Sequence, residues 1–560
     1  MTKTTGTYLK HLARIQGLYG DGHSRCKTDL LQLLDRRRFK KAGEVLRLHE
    51  ILCFLRAYPD DRELLAHVED QLSRFADRSD LRRFRKALAD TGVAGTAINY
   101  QFFWFTATWL ARRWPQQISI NWTDFDRSDK LADMLHLLLL YSETPATDEL
   151  DFSPREWIDQ LKHPDETDAA FVIRRFDALR ATSFGREKFY EDLDIPMQIK
   201  YKPGTASRTH AKYNNSPVIF QNRPLDYSRP DMFQAMNQPA KVIHSVPPHE
   251  GQNLINMARE AMITRSRDLD SFMHADKNDV RLVDFGDGYQ FVCFGAIPER
   301  RLILESVYGY LTLKNGVPIG YVLTSSLFNS AAVGYNVFET YRGAESAAVY
   351  GRILGMTRAL FGVDVVCVDP YQLGHDNTEG QESGAWWFYQ KLGFQSHDPN
   401  ILKLMRRELA RIKRNRKYRS SNDTLQDLTA EHLFLYLDKP REDVIGRISL
   451  GNIGLQIVRY LAKHFGSDRE TAARVCADEA AKCLGVRSRR SFTVGEKQAW
   501  ERWSPLILAL PGIKRWSLTN KKALVHIVKA KGGRRESDFV KLFDKHHLLR
   551  RALLKLSERD

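Results

Sequence analysis

A polar turn between an apolar strand and a helix is the stretch of this chain whose residue types best suit chemistry. The run AAVGYNVF, residues 331 to 338, reads as a buried strand, the turn ETYRGAES follows, and a helix is expected from about Ala347 to Phe361. Backbone N–H groups at a helix start lack partners within the helix and carry the positive end of its dipole. The turn is therefore a candidate anion cradle. Two carboxylates flank it. Glu339 ends the strand, where it could relay a proton through water, and Glu345 stands at the helix start. Each is a candidate base, although an acid near a helix N-terminus can also serve the dipole alone. His375, His397 and Cys367 show no paired ligand spacing, so no metal is expected. No serine elbow and no Walker-type loop occurs.

The elements that must hold this turn are legible on both sides. VDVVCVD, residues 363 to 369, is a second, almost wholly apolar strand, and SGAWWFYQKLGF, residues 383 to 394, predicts a short amphipathic helix ending at Gly393. A strand–helix–strand–helix order with all-apolar strands predicts parallel pairing, with ligands bound beyond the carboxyl ends of the strands. Gly351 and Gly355, four apart on the first helix, predict its close packing on the sheet. Upstream, AKVIHSV (240 to 246), VRLVDFG, QFVCFGA and SVYGYLTL read as strands, and HEGQNLINMAREAMITRSRDLDSF as helix. SVYGYLTL and VPIGYVLTSS, joined through Lys314-Asn315-Gly316, predict an antiparallel hairpin.

Across residues 240 to 400 this pattern resembles the GNAT superfamily of N-acetyltransferases. That family's pyrophosphate loop runs from a strand through Arg-Gly-x-Gly-x-Gly/Ala into a helix, and VFETYRGAESA supplies Tyr341, Arg342, Gly343 and a closing Ala347 in matching places. Its last core helix usually reads Asn-x-x-Ala-x-x-Phe-Tyr-x-Lys-Leu-Gly-Phe. Here Ala385, Phe388, Tyr389, Lys391, Leu392, Gly393 and Phe394 fit at the right spacing. The resemblance implies acetyl-CoA or another acyl-CoA as cofactor. It assigns the thioester arm to the backbone of Val337 and Phe338. The pyrophosphate would fall to the loop of Tyr341, Arg342, Gly343, Ala344, Ser346 and Ala347, and Tyr389 would protonate the leaving thiolate.

Two positions depart from the family pattern. Glu382 replaces the Asn that opens the last helix, and Glu345 replaces the middle glycine of the loop. A carboxylate at 345 repels a pyrophosphate unless it points away or pairs with Arg342. Two functions are therefore expected as alternatives. One is an acyl-CoA-dependent N-acyltransferase acting on an amine that the sequence does not identify. The other is a catalytically inactive GNAT-fold protein that binds or scaffolds, in contact with nucleic acid.

Composition bounds the rest. A chain of 560 residues calls for several domains, and its 85 basic against 69 acidic side chains, net +16, favour anionic partners such as nucleic acid. Six cysteines without a CxxC pair predict a reducing compartment, and no apolar run of spanning or signal-peptide length is seen. A cytoplasmic location away from membranes is expected. The predicted class is mixed α+β. A central α/β domain with a mixed sheet (240 to 400) lies between helical domains at 1 to 195 and 423 to 560. An extended arm (196 to 239) and a basic connector (401 to 422) join them. The arm carries Arg208, His210, Lys212, Arg223 and Arg229, which could border an anionic ligand or simply be solvated. Between Lys403 and Arg419 the connector holds nine basic residues and one acidic one. The Trp104, Trp109, Trp114 and Trp122 region is read as aromatic core rather than ligand platform. KLADMLHLLLLYS (130 to 142) is read as central to the first domain, and TLQDLTAEHLFLYL as helix.

Overall fold

A computed structural model describes residues 4–558 apart from Asp21 and Ala344, so the expected loop residue Ala344 lies outside the described residues. The chain forms two compact units. The first comprises Met1–Leu225, Asn253–His274 and Lys314–Pro318. The second comprises Asp226–Gln252, Ala275–Leu313 and Ile319–Asp560.

The first unit is mainly helical and also contains a small antiparallel sheet. Its strands are β1 (Ile98–Gln101), β2 (Ile118–Ile120) and β3 (Pro196–Ile199), with β3 in the middle. The four tryptophans pack as core. Trp104 and Trp114 are buried, Trp109 and Trp122 lean on the same cluster, and three indole N–H groups find acceptors in Asn256, Gly204 and Asp168. In the apolar stretch after residue 130, Leu131, Leu135 and Leu138 are buried at helical spacing, and Met134 packs beside them. Leu137, Leu140 and Tyr141 are exposed, so this segment is a one-sided helix and not the centre of the unit.

Helix α1 (Trp104–Arg113) takes its N-cap from a distance. Phe103 at the cap position has no capping side chain, and Asp268 accepts the Phe103 N–H at 2.8 Å and the Thr106 hydroxyl at 2.5 Å. Burial, helped by the charges of Asp270 and Glu191, pushes the Asp268 carboxyl up to about 6 against the lowering by its two donors. The folded form therefore holds a proton more tightly than the unfolded chain. Its contribution is full below pH ~4 and lost as pH rises through about 6. Denaturation midpoints measured across this range should fall with pH in the wild type. In Asp268→Asn, which keeps an acceptor but no charge, that part of the slope should vanish.

The second unit is built on one mixed sheet. Its strands are β4 (Val242–Ser245), β5 (Ala275–Gly286), β6 (Tyr289–Ala296), β7 (Ser306–Lys314), β8 (Val317–Leu327), β9 (Ser330–Val337), β10 (Val365–Val368) and β11 (Leu433–Tyr436). They lie in the order β11-β10-β9-β8-β7-β6-β5-β4. β7 and β8 meet through Asn315 and Gly316, whose φ values of 50° and 78° are those of the tight hairpin turn expected from Asn-Gly. β9 pairs antiparallel with β8 and parallel with β10, so the two apolar strands that flank the candidate turn are neighbours as expected. The parallel ladder is short, pairing Ser330, Ala331 and Ala332 with Val365, Val366 and Cys367. The LFLY of β11, expected within a helix, instead pairs antiparallel with β10. Four apolar residues, three of them buried, suit the otherwise unpaired edge of β10, and that pairing overrides local helix preference. Among the described residues no helix is long and apolar enough to cross a membrane.

The helices that bear on the site are α2 (Met232–Asn237), α3 (Ser346–Phe361), α4 (Thr378–Ser383), α5 (Ala385–Lys391) and α6 (Pro399–Arg414). Of these, α3 packs on β9 and α2 packs on α3. Gly351 and Gly355 of α3 do permit close packing, but against α2 and the residue after it, not the sheet. A Cβ on Gly351 would lie 2.8 Å from the Ala235 Cβ, and one on Gly355 would lie 2.8 Å and 3.0 Å from the carbonyls of Ala235 and Gln238. Gly355→Val should destabilise this unit by about 1–3 kcal/mol through overpacking against backbone, read as a lowered urea midpoint.

Candidate site at the start of helix α3

The end of β9 fixes where α3 begins. The Phe338 N–H donates to the Ile319 carbonyl at 2.9 Å, holding the strand's last turn against β8. A single tight helical turn follows, with the Tyr341 N–H on Phe338 and the Arg342 N–H on Glu339. Phe338 and Tyr341 are buried beneath it. Gly343 takes φ +84°, in the left-handed region that suits glycine. Glu345 also sits left-handed, at φ +52°, and is the N-cap of α3, yet its side chain caps nothing. Position 345 thus offers neither a serine-like cap nor a glycine, and the first amides of α3 keep their donors free.

The Glu345 carboxylate is held elsewhere. The hydroxyl of Tyr289, a buried residue of β6, donates to Glu345 Oε2 at 2.6 Å. Arg342 does not pair with Glu345. Its guanidinium meets Glu379 of α4 and reaches the Val337 carbonyl at 3.4 Å.

In front of the freed helix start lies a groove of about 1040 Å³. Gly343, Ser346 and Ala347 line it, whereas Glu345, Arg342, Tyr341, Val337 and Phe338 do not. Its opposite walls come from Glu382 of α4 and Gly384 after it, from Trp387, Phe388 and Lys391 of α5, and from Leu409 and Ile412 of α6. Asp226, Tyr227 and Arg229 close it from the arm, and Arg416, Tyr418 and Arg419 from the connector. Four cations therefore face two carboxylates. Burial, then the charges of Arg229 and Arg419, pull the Lys391 ammonium below its usual range. The two arginines add like-charge repulsion to the effect of burial, and an anion in the groove would relieve that part. The connector cations are set in place by Glu408 of α6. This buried carboxylate accepts from Ser420, Tyr418 and Arg411 at 2.7, 2.9 and 3.0 Å.

The structure does not bring the candidate catalytic residues together in this groove. Glu339 is exposed outside it. Tyr389 lies on the inner side of α5, 3% exposed, packed against Tyr350 and Phe394. Its hydroxyl oxygen accepts the Tyr335 N–H on the part of β9 that β10 leaves unpaired. Burial, and secondarily the charge of Asp369, raise its pKa well above the ordinary tyrosine range, so it stays protonated. Gln372 occupies the same stretch of strand, with its side chain 3.0 Å from where a Cβ on Gly334 would stand. Among the described residues no group of three or more His, Cys, Asp or Glu is placed to hold a metal.

Sequence reasoning found the loop but not the walls. Of the five arm cations, only Arg229 lines the groove, while Arg208 and Lys212 are committed to Glu50 and Glu69. Arg416 and Arg419 were visible only as part of a basic run. The Tyr289–Glu345 contact joins residues 56 positions apart and left no local signal.

That contact is measurable. Tyr289→Phe should cost about 1–2 kcal/mol of stability, as loss of a bond to a charged acceptor does. In a double-mutant cycle with Glu345→Gln the two changes should couple by about 1 kcal/mol, read by chemical denaturation. Comparison of the chain with protein-family models, with curated proteins and with solved structures gives no match, so the functional reading rests on the residues themselves.

Proposed function

We propose that the region from 240 to 400 is a GNAT-type N-acyltransferase domain that uses acetyl-CoA or another acyl-CoA and transfers the acyl group to an amine. The observation that carries this reading is the capture of Glu345 by Tyr289, which leaves the amides of Gly343, Ser346 and Ala347 beside a cation-lined groove. A dianionic pyrophosphate suits such a place. The N-terminal dipole, uncommitted N–H groups and the side chains of Lys391, Arg229 and Arg419 all favour negative charge there. The acyl group, once bound, would supply the electrophilic carbonyl. This chain's part would be to hold the phosphates, to orient the thioester beside the end of β9, and to deliver a proton to the thiolate from Tyr389.

A second reading is favoured by one observation. Tyr389 is buried and does not line the groove, so the same cradle could hold a CoA-like ligand without turnover, as a binding or scaffolding module.

Calorimetry with CoA and acetyl-CoA tests the first reading, and no heat at millimolar ligand would end it. Glu345→Gly should leave affinity within about tenfold, because a carboxylate already held aside contributes roughly 1 kcal/mol or less. Lys391→Glu should weaken binding by about tenfold or more. Tyr389→Phe should bind normally and lose acyl transfer. Binding with no transfer to any amine, in the wild type as well, would favour the binding module.

A further inference from the structure

Helix α6 carries a feature that the groove does not use. Lys403, Arg406, Arg407, Lys413 and Arg414 recur at three- and four-residue steps along one side of the helix, all exposed, with exposed Ala410 at the centre of the stripe. None of these five has a carboxylate within ion-pair distance among the described residues. The single acid of the helix, Glu408, is buried on the other side and committed to Arg411, Tyr418 and Ser420. The dipole accounts for Lys413 and Arg414 in the last turn but gives nothing to Lys403, Arg406 and Arg407. Lys403 and Arg407 are like charges four apart, an arrangement that weakens a helix. The stripe thus opposes local stability and has no internal partner.

We propose that this face of α6 is a docking surface for nucleic acid, met through its phosphodiester backbone. The row from Lys403 to Arg414 is about 16 Å long and straight. A duplex presents one charge per ~1.7 Å of axis, enough for every cation in the row to find a phosphate. An extended acidic peptide offers one side chain per ~6.6 Å on the facing side, too few for five cations. A membrane surface fits worse. A helix that lies in a bilayer turns its apolar side outward, whereas here Ile401 is buried, Leu409 and Ile412 face the groove, and only charge and Ala410 look out. The surface also runs on into the groove, because Arg416 and Arg419, just past the end of α6, line it. A strand held on α6 is thereby brought to the groove mouth. The inference stands apart from the acyl-CoA reading, and its test needs no cofactor.

The full chain is titrated into fluorescein-labelled 20-base-pair RNA and DNA duplexes by anisotropy, from about 50 to 300 mM salt. Micromolar binding is expected for at least one of them, with a slope of log K on log salt of about −4.5, as five neutralised phosphates require. Reversal of four charges (Arg406→Glu, Arg407→Glu, Lys413→Glu, Arg414→Glu) should cut affinity by about 100-fold or more and bring the slope near −1. The four-fold Gln version, which adds no repulsion, should give a smaller loss in the same direction if the surface is used. A three-fold reversal in the first unit (Arg83→Glu, Arg85→Glu, Lys86→Glu) serves as a net-charge control and should change affinity by less than about fivefold. Unchanged circular dichroism and melting establish that the variants fold. The proposal is overturned by absence of binding to both duplexes, by equal losses in the control, or by poly-glutamate of equal charge binding as tightly as the duplexes.

Discussion

The hydroxyl of Tyr289 sets what the start of α3 can present. A helix N-terminus attracts the nearest acid, and the nearest acid by sequence is Glu345, which stands at the cap itself. Left to itself it would cap the helix or neutralise the pole. The 2.6 Å bond from a buried strand residue draws the carboxylate sideways instead, and the backbone at 345 adopts a left-handed conformation that non-glycine residues take only at some cost. The strain and the lost cap are offset by a charge-assisted bond with a well-packed donor. The displacement leaves the first amides of α3 facing the groove without a carboxylate over them.

Around that point the electrostatics are assembled from segments distant in the chain. Arg229 comes from the arm, Lys391 from α5, and Arg416 and Arg419 from the turn pinned by Glu408. None of these groups has a strong reason to be where it is from its own segment. Together they form a field that no single stretch implies, and the charges of Arg229 and Arg419 add to burial in lowering the pKa of the Lys391 ammonium. Such a field is screened by salt, and falls off over about 10 Å at 0.1 M ionic strength.

How much of this was legible depended on range. The strand at 330–337, the helix from 346, the strand at 365–368 and the helix ending before Gly393 all follow from apolar periodicity and turn residues, and their ends agree with the sequence reading within about two residues. The Asn-Gly turn was equally local. β11 was not, because LFLY has no intrinsic claim to be a strand until β10 offers it an edge. β1 and β2, four and three residues long, are too short to show a period against the surrounding helices. The site divided the same way. Gly343, Ser346 and Ala347 were named from loop spacing, whereas their electrostatic surroundings required the tertiary fold.

The β9–β10 pairing sets how the groove is assembled. Three residue pairs form that ladder. Bonds outside it reinforce the junction, with Arg441 donating to the Phe328 carbonyl and to Asp364, and the Ile445 N–H donating to the Ser330 hydroxyl. The loop at Gly343 is rooted in β9, while α5 and the turn carrying Arg419 belong to chain that leaves β10 and enters β11. The span between the helix start and its facing cations is therefore set by the register of β9 on β10, and a one-residue slip of that ladder would carry one side of the groove past the other by about 3.3 Å.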